Sequence, residues 1–435
     1  MIFHTDTCHK STTFTDFLCQ SLSPFHCIAA SEALLAEKGT LLRLEEPWHL
    51  QEGRLYYVSL YDSALVAFRI GNTAHKSCVR IAAAHTDFPC LRIKPNPVVT
   101  KKGYTSLNVE VYGGMNRSTW LDRPLGIAGK VAYRVSEGSG FATTLLTSGP
   151  IVTIPSLAIH MEPKTNDGLS LNPQKDLLPL FSVCGDESCT EEAFVDYMSV
   201  PLSLAPEDIL SYDLTIYPTD APTSLGWHGE LLSASRLDNM TSVYACLSGL
   251  LDSTAKEGIQ VVALFDNEEV GSRTKQGAAS MALPYMLQRI FLSLGYSQEE
   301  YLQALPQSFL YSVDVAHGYH PNYPEKNDIT NFPVLGKGVV LKTAASQAYA
   351  GDAEAVAMTR LLLEDNDIPW QRYVNRSDIR GGSTLGSLLS ANLPIRTMDI
   401  GVPVLAMHSA RELMAHDDED SLIRLMTSYF TDSTH

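Results

Sequence analysis

Nowhere in the 435 residues does an apolar run reach the length needed to cross a bilayer. Basic residues are scarce, with 32 Lys and Arg against 49 Asp and Glu, a formal charge of −17. That balance argues against nucleic acid or an anionic membrane as the main partner, since both demand positive charge. Met1-Ile2-Phe3-His4-Thr5-Asp6 carries no basic region followed by an apolar one, so no secretory signal is expected and a cytoplasmic location is. The eight cysteines are scattered, only Cys184 and Cys189 lying close together, which fits reduced thiols better than a disulfide framework. There is no internal repeat and no low-complexity tract.

What is present describes a packed globular chain. Its hydrophobic fraction of 45% is ordinary for such proteins, and its length exceeds what one core usually holds, so two domains are expected. Ser23-Pro24 suits a helix start, with Gly39 as its stop and Phe25, Ile28, Ala29, Leu34 and Leu35 as its apolar stripe. Strands are expected at Leu55 to Leu60, Ala64 to Ile70 and Val79 to Ala84. From about Phe88 to Asp220 helical periodicity is scarce, and β-rich pieces such as Leu107 to Tyr112 and Gly129 to Val135 alternate with Gly, Pro and Asn. Helix and strand alternation then resumes: helix Asp238 to Leu251, strand Gln260 to Phe265, helix Ala278 to Leu294, strand Phe309 to Val313, helix Asp352 to Leu363 and strand Thr397 to Ile400. The pattern predicts an α/β fold with a mainly parallel central sheet flanked by helices. Residues 1–87 and 221–435 would form a discontinuous catalytic domain, and 88–220 an inserted, mostly β second domain.

Asp266-Asn267-Glu268-Glu269-Val270-Gly271-Ser272 is the most informative stretch. It follows the apolar strand Val261 to Phe265, and strand ends of this kind are where open α/β sheets place ligands. Adjacent strand residues point to opposite faces, so both carboxylates reach one site only if the backbone turns, as Gly271 permits. One could then bind a metal while its neighbour acts as general base.

Other ionisable groups fall at similar places. His85 and Asp87 stand two apart at the end of Val79 to Ala84, so one can bind a metal while the other orients it. Asp238 stands where a helix begins, which also suits an N-cap carboxylate. Asp314 ends Phe309 to Val313, and His408 ends Val404-Leu405-Ala406-Met407. His85, Glu268 with Glu269, Asp314 and His408 are thus each expected to terminate a central strand and converge on one edge. Two imidazoles plus carboxylates suit zinc, manganese or cobalt better than calcium or magnesium. Cys90, beside His85, reads as a small buried hydrophobe rather than a ligand.

With these residues in place, the chain resembles the aspartyl aminopeptidase family of co-catalytic zinc aminopeptidases along essentially its whole length. The motifs that carry the likeness occur in family order. They are Ser23-Pro24-Phe25-His26, Ala84-His85-Thr86-Asp87-Phe88-Pro89, Tyr112-Gly113-Gly114 with Ser118-Thr119-Trp120-Leu121-Asp122-Arg123, Arg236-Leu237-Asp238-Asn239, Asp266 to Ser272, His320-Pro321-Asn322-Tyr323 and Ala406-Met407-His408-Ser409. The resemblance implies that Asp238 bridges two divalent metals, with His85 and Asp314 on one and Glu269 and His408 on the other. It implies Glu268 as general base, Asp87 as partner of His85, His317 as a further active-site histidine and Lys342 as the group that selects acidic substrates. It also implies that His160 acts across a subunit contact, in a homo-oligomer that the family builds as a tetrahedral dodecamer. Around Lys342 the segment Thr343-Ala344-Ala345-Ser346-Gln347-Ala348 lacks basic residues found in some relatives, which leaves the strictness of acidic specificity open.

The expected activity is removal of N-terminal Asp or Glu from peptides by metal-assisted hydrolysis. Alternatives are a neutral aminopeptidase or deacylase on the same scaffold, or a non-catalytic shell or cargo protein that keeps the fold.

Overall fold

The structure, a computed structural model, describes residues 12–71, 78–135, 140–183, 190–254, 257–379 and 381–431. Met1 to Asp6, and the Cys184–Cys189 pair, lie outside the described residues.

Helices α1 (Phe14–Gln20) and α2 (Pro24–Ala36) precede strands β1 (Gly39–Leu41), β2 (Leu55–Leu60), β3 (Ala64–Ile70) and β4 (Val79–His85). The chain then leaves for six further strands: β5 (Cys90–Lys101), β6 (Tyr104–Tyr112), β7 (Leu125–Arg134), β8 (Phe141–Thr147), β9 (Leu180–Val183) and β10 (Ile209–Pro218). Helix α3 (Glu191–Leu202) lies between the last two. It continues through β11 (Thr223–Leu225), β12 (Leu231–Ala234), α4 (Leu237–Asp252), β13 (Ile259–Phe265), α5 (Ala282–Ser293), α6 (Gln298–Ala304), β14 (Phe309–Val313) and β15 (Ala316–His317). The last elements are β16 (Val339–Lys342), α7 (Ala353–Asp365), β17 (Trp370–Tyr373), α8 (Leu385–Asn392), β18 (Arg396–Gly401), β19 (Pro403–Val404), β20 (Glu412–Ala415) and α9 (His416–Thr431).

Nine strands form the central sheet in the order β1-β2-β3-β13-β4-β14-β18-β16-β17. Its middle, β13-β4-β14-β18, is parallel, while β3 and β16 run antiparallel to their inner neighbours. Every residue of β4, β13 and β14 is buried, because helices cover both faces. Side chains alternate accordingly. Ala82, Ala84, Val262 and Leu264 pack with apolar residues of α1, α2, α4 and α9, whereas Ile81, Ala83, Val261 and Ala263 pack with those of α5, α6 and α8. The second sheet is antiparallel, in the order β8-β7-β10-β5-β6-β9, and its core is continuous with the first face.

Register positions the chemistry. Phe265 lies opposite His85, and Ser312 opposite Ala83, so the carboxyl ends of β13, β4 and β14 finish level at one edge.

Several boundaries differ from expectation. Ser23 caps α2 by accepting from the His26 amide, but the helix ends at Ala36 and Gly39 opens β1 instead. Helix α5 starts at Ala282 rather than Ala278, because Pro284 lacks an amide hydrogen and is accommodated in a first turn, not an interior. Helix α3 stands in the segment expected to be mostly β, where no helix is predicted. His408 does not end a central strand: β19 pairs only with β15, and His408 occupies the loop beyond it with a left-handed φ of 64°.

Helices α4 and α9 approach so closely that a Cβ on Gly249 would collide with Met426. Overpacking of this kind costs about 1–3 kcal/mol. Gly249→Val should therefore lower the thermal midpoint, measured calorimetrically, and an unchanged midpoint would show that the contact yields freely.

Candidate active site

The turn after β13 resolves the problem of two adjacent carboxylates. Asn267 (φ 64°) and Gly271 (φ 101°) adopt left-handed conformations around a single helical turn at Glu268–Val270, which lifts both side chains to one cavity. Asp87 holds that turn. Its Oδ1 accepts the Glu268 amide at 3.0 Å and its Oδ2 the Glu269 amide at 3.1 Å. The Tyr112 hydroxyl, from β6 of the second sheet, donates to Oδ2 at 2.6 Å and accepts from the Asn267 side-chain amide at 3.0 Å.

Two clusters of side chains face each other across Asp238. His85 Nε2 lies 3.4 Å from Asp238 Oδ1 and 3.5 Å from Asp314 Oδ1. His408 Nε2 lies 3.2 Å from Asp238 Oδ2 and 3.3 Å from Glu269 Oε1. Each imidazole is held through its other nitrogen: His85 Nδ1 is 3.0 Å from the Asp87 carbonyl, and His408 Nδ1 is 3.1 Å from the Gly114 carbonyl. A proton on Nδ1 leaves each Nε2 lone pair directed at the carboxylates, the tautomer a metal ligand requires.

These two groups fit divalent ions. Within each, the ligand atoms lie within 4.8 Å of one another. A tetrahedral site with bonds of about 2.0–2.1 Å has edges of about 3.3–3.4 Å, close to the nitrogen–oxygen separations here. Asp238 Oδ1 and Glu269 Oε1 are buried without a hydrogen-bond partner, and a cation would satisfy both. Charge points the same way. Burial, reinforced by neighbouring carboxylates, pushes the Glu268 carboxyl up to about 9 and that of Glu269 up to about 7. A cation at either cluster would offset that cost of ionising the two carboxyls.

A cavity of about 560 Å³ opens onto these residues, and His317, Lys342, Tyr349 and Thr384 also line it. Lys342 is not a surface lysine. It is 1% exposed, and its ammonium donates to the Asp314 carbonyl at 2.9 Å and the Val315 carbonyl at 3.1 Å, with Asp314 Oδ2 at 3.5 Å. Asp238 is no N-cap: its side chain faces the imidazoles, and its own amide donates to Glu412. His160 lies in an exposed turn and does not line the cavity. Cys90 is buried, and burial pushes its thiol up to about 12, so it offers no thiolate.

The family model described as Aminopeptidase I zinc metalloprotease (M18) matches residues 17–430. The chain belongs to the M18 family. It is a metallo-aminopeptidase, and the family's description makes zinc the expected divalent ion. A Clostridium novyi protein named "Probable M18 family aminopeptidase 2" is 42% identical over 408 residues, covering 93% of this chain and 94% of that one. A chain in the structure of the Ape4 and Nbr1 complex is 30% identical, with a TM-score of 0.92 over 96% of this chain and 84% of that one. The S. cerevisiae mApe1 dodecamer shares the fold at 24% identity, with a TM-score of 0.83 over 96% of this chain and 95% of that one.

Two supports of this M18 site carried no role in the sequence. Tyr112 stood in a recognisable motif without an assigned contact, and Glu412 stood four residues beyond His408 with no spacing signal. The Tyr112 contact is testable. A hydrogen bond to a charged group contributes about 1.5–3 kcal/mol. Tyr112→Phe should lower the stability of the metal-free protein by that amount and speed amide exchange at Glu268 and Glu269. Unaltered exchange there would show that Tyr112 does not hold the turn.

Proposed function

We propose that this M18 aminopeptidase removes N-terminal residues, preferentially Asp or Glu, with two divalent ions held by five side chains. The observation that carries the two-ion reading is that the oxygens of Asp238 face different imidazoles, each beside a further carboxylate. His85 and Asp314 would complete one ligand set, Glu269 and His408 the other, with Asp238 shared. Zinc suits these nitrogen and oxygen donors, and manganese or cobalt would also fit. When bound, the ions polarise the scissile carbonyl and acidify a water.

The chain's own groups do the rest. Glu268 belongs to neither ligand set, so it is free to take the proton of the attacking water and deliver it to the leaving amine. Its raised proton affinity without metal falls once cations neutralise its neighbours. Asp87 orients His85 and, through two amides, the carboxylates of Glu268 and Glu269. His317 flanks the substrate, whose free α-amino group would bind at a metal or a nearby carboxylate, confining action to chain ends. We further assign residues 1–87 and 221–435 to the catalytic domain and 88–220 to an oligomerisation domain. The mApe1 relative is a dodecamer, and an exposed His160 agrees with a homo-oligomer, a tetrahedral dodecamer in this reading, in which it reaches a neighbouring site.

Glu268→Gln tests the base. The amide keeps the shape, so metal content should stay at the wild-type value while turnover falls about 10²–10⁴-fold. Near wild-type kcat at full metal content would remove Glu268 from that role.

Specificity has two readings. Lys342 Nζ stands at the cavity wall, and two of its three hydrogens are taken by carbonyls, leaving one for an acidic substrate side chain. Full engagement of the ammonium by Asp314 would instead leave a neutral aminopeptidase. Losing a charged hydrogen bond costs about 1.5–3 kcal/mol, roughly ten- to a hundredfold. Lys342→Met should impair all substrates, because it also strips the two carbonyls, but should depress kcat/KM for Asp and Glu by that further factor relative to Leu. An unchanged Asp-to-Leu ratio would establish the neutral reading.

A further inference from the structure

Glu412 belongs to neither candidate ligand set, yet it is 2% exposed and its two oxygens diverge to different segments of the site. Oε2 accepts the Asp238 amide at 3.0 Å, and Oε1 accepts the His408 amide at 2.7 Å. Glu412 sits opposite Ala234 on the last rung of the β12–β20 pairing, and from that rung the chain runs forward to Asp238 and back to His408. Neither residue has regular backbone there: Asp238 has non-helical dihedrals at the head of α4, and His408 is left-handed. The Leu405–Leu413 bridge ties the incoming segment to β20 only up to three residues before His408, so Glu412 is the contact that joins His408 and Asp238 directly. Without it the buried Asp238 amide and the partly buried His408 amide would lose their acceptor.

We propose that Glu412 is a positioning residue that clamps Asp238 and His408 in one geometry and so sets the affinity of one ion in particular. This rests on the two-ion reading. Of the ligand set Asp238, Glu269 and His408, two members hang from Glu412; of the set His85, Asp238 and Asp314, only one does. Release of the clamp therefore falls mainly on the ion held by His408. Partners that orient metal ligands typically govern affinity about 10–100-fold.

The test uses the full chain with metal removed, titrated with zinc against a competing chelator, the bound equivalents being counted. Glu412→Gln keeps the volume but turns an NH₂ group toward one of the two amides, and Glu412→Asp keeps the charge but shortens the reach. Wild type should take up two equivalents. Both variants should bind one with near wild-type affinity and the other about 10–100-fold more weakly. Their activity should return as free zinc is raised, with kcat recovering, which a general loss of structure would not allow. Two equivalents at wild-type affinity in both variants would overturn the proposal, as would equal weakening of both ions. Failure of both variants to fold without metal would also overturn it, assigning Glu412 to the scaffold. A wild type that binds only one equivalent would refute the two-ion reading itself, and the clamp with it.

Discussion

Asp238, Glu268, Glu269 and Asp314 share one cavity wall and are buried or partly buried, where repulsion between carboxylates is screened less than at a surface. The surrounding structure is organised around holding those charges together. Asp87 is fully buried and anchors the Glu268 turn through backbone amides and a tyrosine hydroxyl, with His85 Nδ1 3.5 Å from its Oδ1. Lys342 brings a positive charge beside Asp314 while tying down the carbonyls of the same loop. Two imidazoles stand between the carboxylates rather than beyond them. What remains is a deficit of positive charge focused on two points, and nitrogen and oxygen donors converge on both.

The two sheets are interdependent at this place. Although the antiparallel sheet supplies no candidate ligand, Tyr112 braces Asp87, the Gly114 carbonyl orients His408, and the Asn116 amide donates to the His408 carbonyl. Thr119 then receives the amide of Ala410. The segment 112–119 thus grips the His408 loop from outside the central sheet. A role for residues 88–220 in assembly would come in addition to this local work.

Much of the fold could be read from the chain because the information is local. The apolar runs ending in His85, Phe265 and Val313 are strands whose register brings their ends level, and Gly271 announced the turn that lets Glu268 and Glu269 share a cavity. The legible part stops where position depends on tertiary contacts. His408 follows an apolar run that pairs with β15 and, through Leu405, with β20 rather than with the central sheet, and its place is fixed by Gly114 and Glu412, partners remote in sequence or unmarked by spacing. The burial of Lys342 follows from β16 lying inside the sheet, which the residues around it do not signal. The apolar periodicity of Ala278 to Leu294 runs through Pro284 without registering the start that this residue imposes on α5. His160 stands on an exposed turn whose purpose a single chain does not contain.

The order of the site residues along the chain has a consequence for synthesis. His408 and Glu412 come after every strand of the nine-stranded sheet, and α9, which packs against the helix headed by Asp238, comes later still. A ribosome-bound chain can therefore form most of its core while one imidazole and the clamp that seats it are still untranslated. In the proposed reading, hydrolysis needs His408, so a nascent or prematurely terminated polypeptide that stops before it would be unable to act on the free amino termini around it.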